Sequence, residues 1–234
     1  LEDLIKVCRY GHKVELTEKA IERIKTARAI VDDLVENEKV SYGITTGFGK
    51  FSDVVISKKD TRQLQINLIR SHACGVGDPL SEEIVRAMML LRINALSKGY
   101  SGVRLETLQV LIDMLNKGVH PIVPEKGSLG YSGDLAPLSH MVLTMLGEGE
   151  AIYKGARMDS KDAMEKAGIK PLEYLSSKEG LSLNNGTQCM TAVGAITVYD
   201  AINLMKTADI ALGDRKSTRQ NSSHWKQSRM PSSA

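Results

Sequence analysis

The residues with the greatest potential for chemistry lie in a glycine- and serine-rich segment, residues 127–140. Within Tyr131-Ser132-Gly133, the amide nitrogen of Gly133 could attack the carbonyl carbon of Tyr131 and close a five-membered ring. Loss of two waters, one of them carrying the Ser132 hydroxyl, would leave an exocyclic methylene. Such a ring is an electrophile, which no ordinary side chain supplies, and strain held by the surrounding fold would drive its formation. The alternative is a plain tight connection between two helices.

A reaction at this electrophile also needs a base. An amine that adds to the methylene can leave as ammonia once a β-proton has been removed. A tyrosine in a glycine-rich loop can be that base when its pKa is lowered, and Tyr42 opens such a loop over residues 42–49. The loop matches neither the phosphate-loop pattern G-x-x-x-x-G-K-S/T nor G-x-G-x-x-G, so no nucleotide is predicted.

Helices must position these loops. Aromatic residues make up only 4% of the chain, and the spacing of Leu, Ile and Met favours helices. In the central segment, Asp134 occupies a helix N-cap position and Pro137 falls in the first turn. The predicted helices span residues 17–37, 58–74, 81–98, 103–117, 134–147, 160–167 and 187–212. With a small hairpin predicted over residues 151–158, the fold class is mainly α with glycine-rich active-site loops.

Composition narrows the class of protein further. The three cysteines are odd in number and far apart, which favours reduced thiols in a cytoplasmic protein. No apolar run reaches 18 residues and the N-terminus lacks a signal-peptide pattern, so no membrane partner is predicted. The histidines lack a metal-binding spacing such as H-E-x-x-H, so no metal is predicted.

The positive charge of the chain lies at its end. Residues 215–234 contain five Lys and Arg and no acidic residue, so the formal net charge of +3 becomes −2 for residues 1–214. A mildly acidic body gives no electrostatic basis for binding nucleic acid. We expect residues 1–214 to form one region, and residues 215–234 to be a basic, serine-rich tail that is disordered or not native.

Several motifs together resemble the histidine and aromatic amino-acid ammonia-lyase family. The pattern G-S-x-G-x-S-G-D-L-A-P-L over residues 127–138 is similar to the prosthetic-group loop of that family. Four further segments occur in the family's order, at residues 42–49, 64–75, 98–104 and 179–188. Five motifs in order across residues 1–212 are far more specific than any one of them.

The resemblance implies a role for each matching residue. It implies that Ser132 and Gly133, with the carbonyl of Tyr131, form a 4-methylidene-imidazol-5-one, whose formation Asp134 assists. Tyr42 would transfer the proton, and Asn185 would stabilise the ring oxygen or the substrate. The catalytic residues implied are therefore Tyr42, Tyr131, Ser132, Gly133, Asp134 and Asn185.

The resemblance also implies an amino-acid substrate. The Ser71-His72 pair is typical of histidine-specific members, which favours deamination of L-histidine to urocanate, with Gln188 as a further binding residue. Without the resemblance, the preferred interpretation of His72 is a core-facing histidine bonded to a carbonyl oxygen. A tyrosine or phenylalanine ammonia-lyase or aminomutase of the same family is the alternative.

Two features depart from the family pattern. The family has alanine where this chain has Tyr131, and a side chain of that size in a tight loop could block ring closure and leave a catalytically inactive scaffold. Family chains are also considerably longer, and their remaining part supplies a helical bundle, further active-site residues and most of a homotetramer interface. We therefore expect residues 1–214 to be an incomplete N-terminal catalytic region with little activity alone.

Overall fold

The computed structural model describes residues 1–37, 39–47, 56, 58–130 and 132–227, with residues 58, 59 and 214–227 as backbone only. The helices of these residues are α1 (Glu2–Tyr10), α2 (Glu18–Glu36), α3 (Lys58–His72), α4 (Glu82–Leu96), α5 (Leu105–Lys117), α6 (Leu135–Met145), α7 (Ser160–Lys166), α8 (Glu179–Asn184) and α9 (Gln188–Gln227). The strands are β1 (Val76–Pro79), β2 (Val119–Pro121), β3 (Pro124–Lys126), β4 (Glu150–Tyr153) and β5 (Ala156–Asp159). The predicted mainly α class is confirmed.

The chain divides into two units, Leu1–Val193 and Gly194–Ala234. In the first unit, α4 packs against α1 and α5, and leucines at helical spacing on α5 face this core. α5 is followed by its C-cap Gly118, whose N–H donates to the carbonyl of Met114 and whose left-handed φ of 77° turns the chain out of the helix. The fully buried side chains of this core include Met88, Met89, Leu96, Leu108, Leu111, Met114 and Leu115.

A second group of helices, α3, α6 and α8, packs together and carries the loops of interest. The N–H of Gly180 donates to Gln65 Oε1 at 2.8 Å, which joins α8 to α3. A Cβ at Gly180 would lie 2.9 Å from the backbone oxygen of Gln65, so glycine permits the close approach of the two helices.

Two small antiparallel sheets complete the first unit. One pairs β1 with β3, and the other has the order β2-β4-β5. The predicted hairpin is confirmed as β4 and β5, and its two turn residues, Lys154 and Gly155, both have positive φ. This is the backbone of a type I′ turn, whose twist matches that of the flanking strands.

The last helix differs in length from its prediction. Predicted over residues 187–212, α9 begins at Gln188, and its backbone continues as helix to Gln227. The second unit contains the later part of this helix, where the large apolar side chains exposed to solvent are Val198, Ile202, Leu204, Met205, Ile210 and Leu212. The division of the chain into residues 1–214 and a separate tail, residues 215–234, stays a prediction.

Candidate active site

A cavity of about 400 Å³ brings together two of the segments selected from the sequence. It contains Ser71 and His72 from the end of α3, and Ser132 and Gly133 from the loop before α6. Among the described residues, the lining consists of Ser71, His72, Cys74, Gly127, Leu129, Ser132, Gly133, Leu135 and Ala136. Ser132 is exposed, whereas Gly133 is buried. The proposed electrophile and the proposed substrate-binding pair therefore share one cavity.

The ladder between β1 and β3 holds the two sides of this cavity together. β1 follows α3 directly, β3 precedes Gly127, and the two strands pair antiparallel, with Val76 opposite Lys126. His140 of α6 adds a second tie, because its Nε2 accepts a hydrogen bond of 3.0 Å from the N–H of Gly75. These contacts fix the end of α3 against the loop that carries Ser132 and Gly133.

The tie at His140 makes stability depend on pH. Burial lowers the pKa of His140 below its ordinary value of 6.5, and its Nε2 must be unprotonated to accept from Gly75. The unfolded chain takes up the proton near pH 6.5, whereas the folded chain resists it. The contribution to stability is therefore complete above pH 6.5 and is lost as the pH falls toward the lowered pKa. We expect urea unfolding to give a free energy lower by about 1 kcal/mol at pH 5.5 than at pH 7.5.

Two variants separate the effect of the half-buried His140 from that of the buried His120. Burial also lowers the pKa of His120, so this residue contributes in the same direction. In His140→Gln we expect the free energy of unfolding to depend less steeply on pH, because the contribution of His140 is gone. In His120→Gln the contribution of His140 should remain. An identical pH slope in His140→Gln and the parent chain would contradict the assignment.

Gly133 is enclosed by a second loop. Its φ is 87°, and a Cβ built there would lie 2.2 Å from the backbone oxygen of Gly186. The same oxygen accepts a hydrogen bond of 2.6 Å from the N–H of Asp134. The loop that contains Asn185 and Gly186 therefore closes directly on the backbone of Gly133, and no larger residue fits at position 133.

Asp134 is fully buried, and its carboxylate joins three segments. One oxygen accepts from Ser128 Oγ at 2.6 Å, and the other accepts from the N–H of Met190 at 2.9 Å. Asp134 occupies the N-cap position of α6, as predicted, but its side chain makes no capping hydrogen bond to that helix. It satisfies instead an N–H in the first turn of α9, which has no partner within its own helix.

His72 is half-buried and has a defined tautomer. Its Nδ1 lies 2.8 Å from the carbonyl oxygen of Leu68, and a carbonyl only accepts, so Nδ1 carries the proton and Nε2 is left as an acceptor. The hydroxyl of Ser71 donates to the same oxygen at 2.9 Å. His72 is therefore bonded to a carbonyl oxygen through Nδ1, as one interpretation of the sequence expected. It also lines the cavity, as the other interpretation expected.

Other predicted site residues lie outside the cavity lining. Tyr42 is 59% exposed in a turn that follows α2. Asn185 is exposed beside Gly186, and Gln188 Oε1 accepts from Arg92 Nη1 at 2.9 Å. Tyr131 and residues 48 and 49 lie outside the described residues.

Two of the five sequence motifs meet in a buried ion pair. Arg104, from the motif at residues 98–104, donates to the carboxylate of Glu179 at 2.9 Å. Glu179 is completely buried and also accepts from Thr107 Oγ1 and the N–H of Ser176. This contact fixes α8, and therefore the start of the loop at Asn185, against α5.

Sequence reasoning missed several residues that support the site. Ser128 donates to Asp134, Gly186 contacts Gly133, and Arg92 donates to the carbonyl of Asn185. Arg92 had a signal in the sequence, because it interrupts the apolar run of α4, and a cation inside such a run needs partners. The partners themselves are about 90 residues away, and spacing along the chain does not identify them.

Among the described residues, no helix combines the length and the apolar character needed to cross a membrane. The same residues contain no group of three or more His, Cys, Asp or Glu arranged to hold a metal ion.

The described site thus combines the loop at Ser132 and Gly133 with His72 around one cavity in a mainly α fold. The family model for aromatic amino acid lyases matches residues 1–213. The chain belongs to the aromatic amino acid lyase family, and the resemblance stated from its motifs is confirmed.

The curated relatives give a finer comparison. A histidine ammonia-lyase of Alkaliphilus oremlandii is 69% identical over 211 residues, which are 90% of this chain and 41% of that protein. The chain thus spans about 41% of the length of the curated relatives it matches.

Solved structures of the family share the fold. Histidine ammonia-lyase from Trypanosoma cruzi is 41% identical with a TM-score of 0.78, over 85% of this chain and 38% of that one. Phenylalanine aminomutase from Pantoea agglomerans is 39% identical with a TM-score of 0.81, over 86% of this chain and 38% of that one. Fold similarity alone therefore does not separate the two chemistries.

Proposed function

We propose that this chain is the N-terminal catalytic part of an enzyme that deaminates L-histidine to urocanate and ammonia. The observation that carries the proposal is the cavity in which Ser71 and His72 lie with Ser132 and Gly133. The identity of 69% to a histidine ammonia-lyase supports the choice of substrate.

The residues around Gly133 fit a 4-methylidene-imidazol-5-one made from residues 131–133. Closure joins the Gly133 nitrogen to the carbonyl carbon of residue 131, and that oxygen leaves as water with the amide hydrogens of Ser132 and Gly133. A second water takes the Ser132 hydroxyl and its Cα hydrogen. The backbone contact with Gly186 supports the fit, because it leaves room for a glycine alone. When present, the group supplies an electrophile for the substrate amine.

The other site residues bind the substrate or move its protons. With Nδ1 bonded to Leu68, His72 offers Nε2 as an acceptor for an N–H of the substrate imidazole. Tyr42 would take the β-proton, and Asn185 would donate to the ring oxygen or the substrate. Gln188 is bonded to Arg92, so its part in binding is to support the loop.

The chain requires its missing part for turnover in this proposal. It spans 41% of its curated relative, and Tyr42 lies outside the cavity lining. A homotetramer of the full-length protein and a cytoplasmic location are further proposals, and both rest on the family resemblance.

A hybrid protein tests the substrate. Residues 1–213 would replace the matching part of the Alkaliphilus oremlandii relative, once with Tyr131 and once with Tyr131→Ala. We expect the Tyr131→Ala hybrid to lose two waters from residues 131–133 by peptide mass, and to release urocanate from L-histidine. Against L-tyrosine and L-phenylalanine we expect kcat/KM lower by about 100-fold or more, because the polar partner of the imidazole would be left unpaired.

Each other outcome assigns a different function. A hybrid that has the mass loss but prefers L-tyrosine or L-phenylalanine would identify the alternative lyase or aminomutase. Activity restricted to Tyr131→Ala would make the parent chain an inactive scaffold. The 234-residue chain alone is the control, and robust turnover by it would contradict the proposed need for the missing part.

A further inference from the structure

A buried arginine of α4 lies directly behind the loop that closes on Gly133. The side chain of Arg92 is 4% exposed, and it donates to three acceptors on one segment. Its Nη1 donates to Gln188 Oε1 at 2.9 Å, and its Nη2 donates to the carbonyl of Asn185 at 2.9 Å. Nη2 also donates to the carbonyl of Ser182 at the end of α8.

Burying the guanidinium of Arg92 costs free energy that apolar packing does not recover. In the part of the chain that the structure describes, no carboxylate forms an ion pair with Arg92, and its Nε has no hydrogen-bond partner. Burial lowers the pKa of Arg92 to about 10, so the side chain is still charged at neutral pH. A buried charge without a carboxylate partner is costly unless hydrogen bonds compensate for the lost water. All the hydrogen bonds of Arg92 go to residues 182–188, which points to a role in fixing the geometry of that segment.

Gly186 lies between Arg92 and the backbone of Gly133 and Asp134. A Cβ at Gly186 would lie 2.4 Å from Arg92 Nη1 and 2.2 Å from Gln188 Oε1, so the loop rests directly on the guanidinium. On its other side, the Gly186 oxygen accepts from the N–H of Asp134 at 2.6 Å. The carboxylate of Asp134 accepts from the N–H of Met190, so this series of contacts also includes the first turn of α9.

We infer that Arg92 is a positioning residue, whose guanidinium holds the backbone from Asn185 to Gln188 against Gly133 and Asp134. It thereby sets the conformation in which Ser132 and Gly133 can cyclise. The link to cyclisation rests on the proposed function, whereas the link between Arg92 and the backbone of Asp134 does not.

A second arginine on the same helix provides a matched control. Arg86 is 6% exposed, and it donates to the carbonyls of Val7, Cys8 and Leu115, at the ends of α1 and α5. Arg86→Met and Arg92→Met thus each remove one buried guanidinium from α4, but only Arg92 contacts the loop at Asn185. The conservative variant Arg92→Lys keeps the charge and loses the planar fork that reaches several acceptors at once.

The experiment measures amide hydrogen exchange and peptide mass in the full 234-residue chain. In Arg92→Met we expect exchange about tenfold faster or more for the amides of Asp134 and Met190, with α1 and α5 unchanged. Arg86→Met should give the reverse pattern. Arg92→Lys should resemble Arg92→Met at Asp134, since one ammonium does not reproduce the three contacts. If Arg92→Met does not fold, the comparison of Arg92→Lys with the parent chain decides.

Mass over residues 131–133 is the second readout. If the parent chain loses two waters, Arg92→Met should lose them more slowly, by about tenfold, and Arg86→Met at the parental rate. A parent chain without the mass loss would contradict ring formation in this chain, and hydrogen exchange would still decide the role of Arg92. Equal exchange of Asp134 in Arg92→Met, Arg86→Met and the parent would overturn the inference, as would full protection in Arg92→Lys.

Discussion

Replacing Gly133 by alanine should abolish the loss of two waters from residues 131–133. The structure gives two independent reasons, a φ of 87° and the backbone oxygen of Gly186 at 2.2 Å from the position of the new Cβ. Backbone atoms cannot move aside as the end of a flexible side chain can, so the loop at Asn185 and Gly186 would be displaced. We expect the free energy of unfolding to fall by about 2–5 kcal/mol, the sum of backbone strain and overpacking.

Gly130 provides the control for the strain alone. It lies in the same loop with a φ of 77°, and a Cβ there would meet no atom within 4 Å. Gly130→Ala should therefore cost about 1 kcal/mol and leave ring formation intact. Both variants would be made in the hybrid with Tyr131→Ala and assayed by urea unfolding and by peptide mass. A two-water loss in Gly133→Ala would contradict the assignment of Gly133.

Most of the helices could be predicted from the sequence because their signals are local. The leucines of α5 repeat at helical spacing, and Gly118 stops that helix where predicted. At α2, the hydroxyl of Thr17 accepts from the N–H of Ala20, as a capping residue should. Such patterns lie within one turn of the helix they define, so they are visible without the rest of the fold.

α1 was not predicted from the sequence, although its signals are local, such as Gly11, which caps its C-terminus with a left-handed φ of 69°. The other missed elements depend on distant partners. α8 has only six residues, and its position is set by the contacts of Glu179 and Gly180 with α5 and α3. β1, β2 and β3 have three or four residues each, and all three include proline, which disfavours strands. These strands exist because tertiary packing brings them together, and no period in the sequence reports that packing.

The residues of the candidate site also fall into those with local sequence signals and those that depend on distant contacts. The cyclisation in the loop at Ser132 and Gly133 is predicted from consecutive residues whose types permit it, together with the resemblance of their motif to the ammonia-lyase family. The supports of that loop, Arg92 and Gly186, lie 40 residues or more away along the chain, and their importance follows only from contacts in space. Motifs along the chain predict which residues react, whereas contacts in the fold identify the groups that hold those residues in place.

Asp134→Asn should separate the chemistry of ring closure from the architecture around it. The carboxylate of Asp134 is fully buried, accepts from Ser128 Oγ and the N–H of Met190, and follows Gly133 directly. An asparagine can keep both contacts, because its oxygen can accept from Met190 while its NH₂ group donates to the Ser128 hydroxyl. The variant therefore removes the charge and the basic oxygen with little change in shape.

We expect Asp134→Asn to slow the two-water loss by about 100-fold, the usual effect of removing a general base. The free energy of unfolding should fall by only about 1 kcal/mol, the value of one weakened hydrogen bond. Ser128→Ala, which removes one donor and keeps the carboxylate, should slow the loss by tenfold or less in a rough estimate. The measurement is a time course of peptide mass on folded hybrid protein with Tyr131→Ala. Maturation of Asp134→Asn at the parental rate would mean that Asp134 serves only to hold α9 against the loop, because a neutral amide would then suffice for closure.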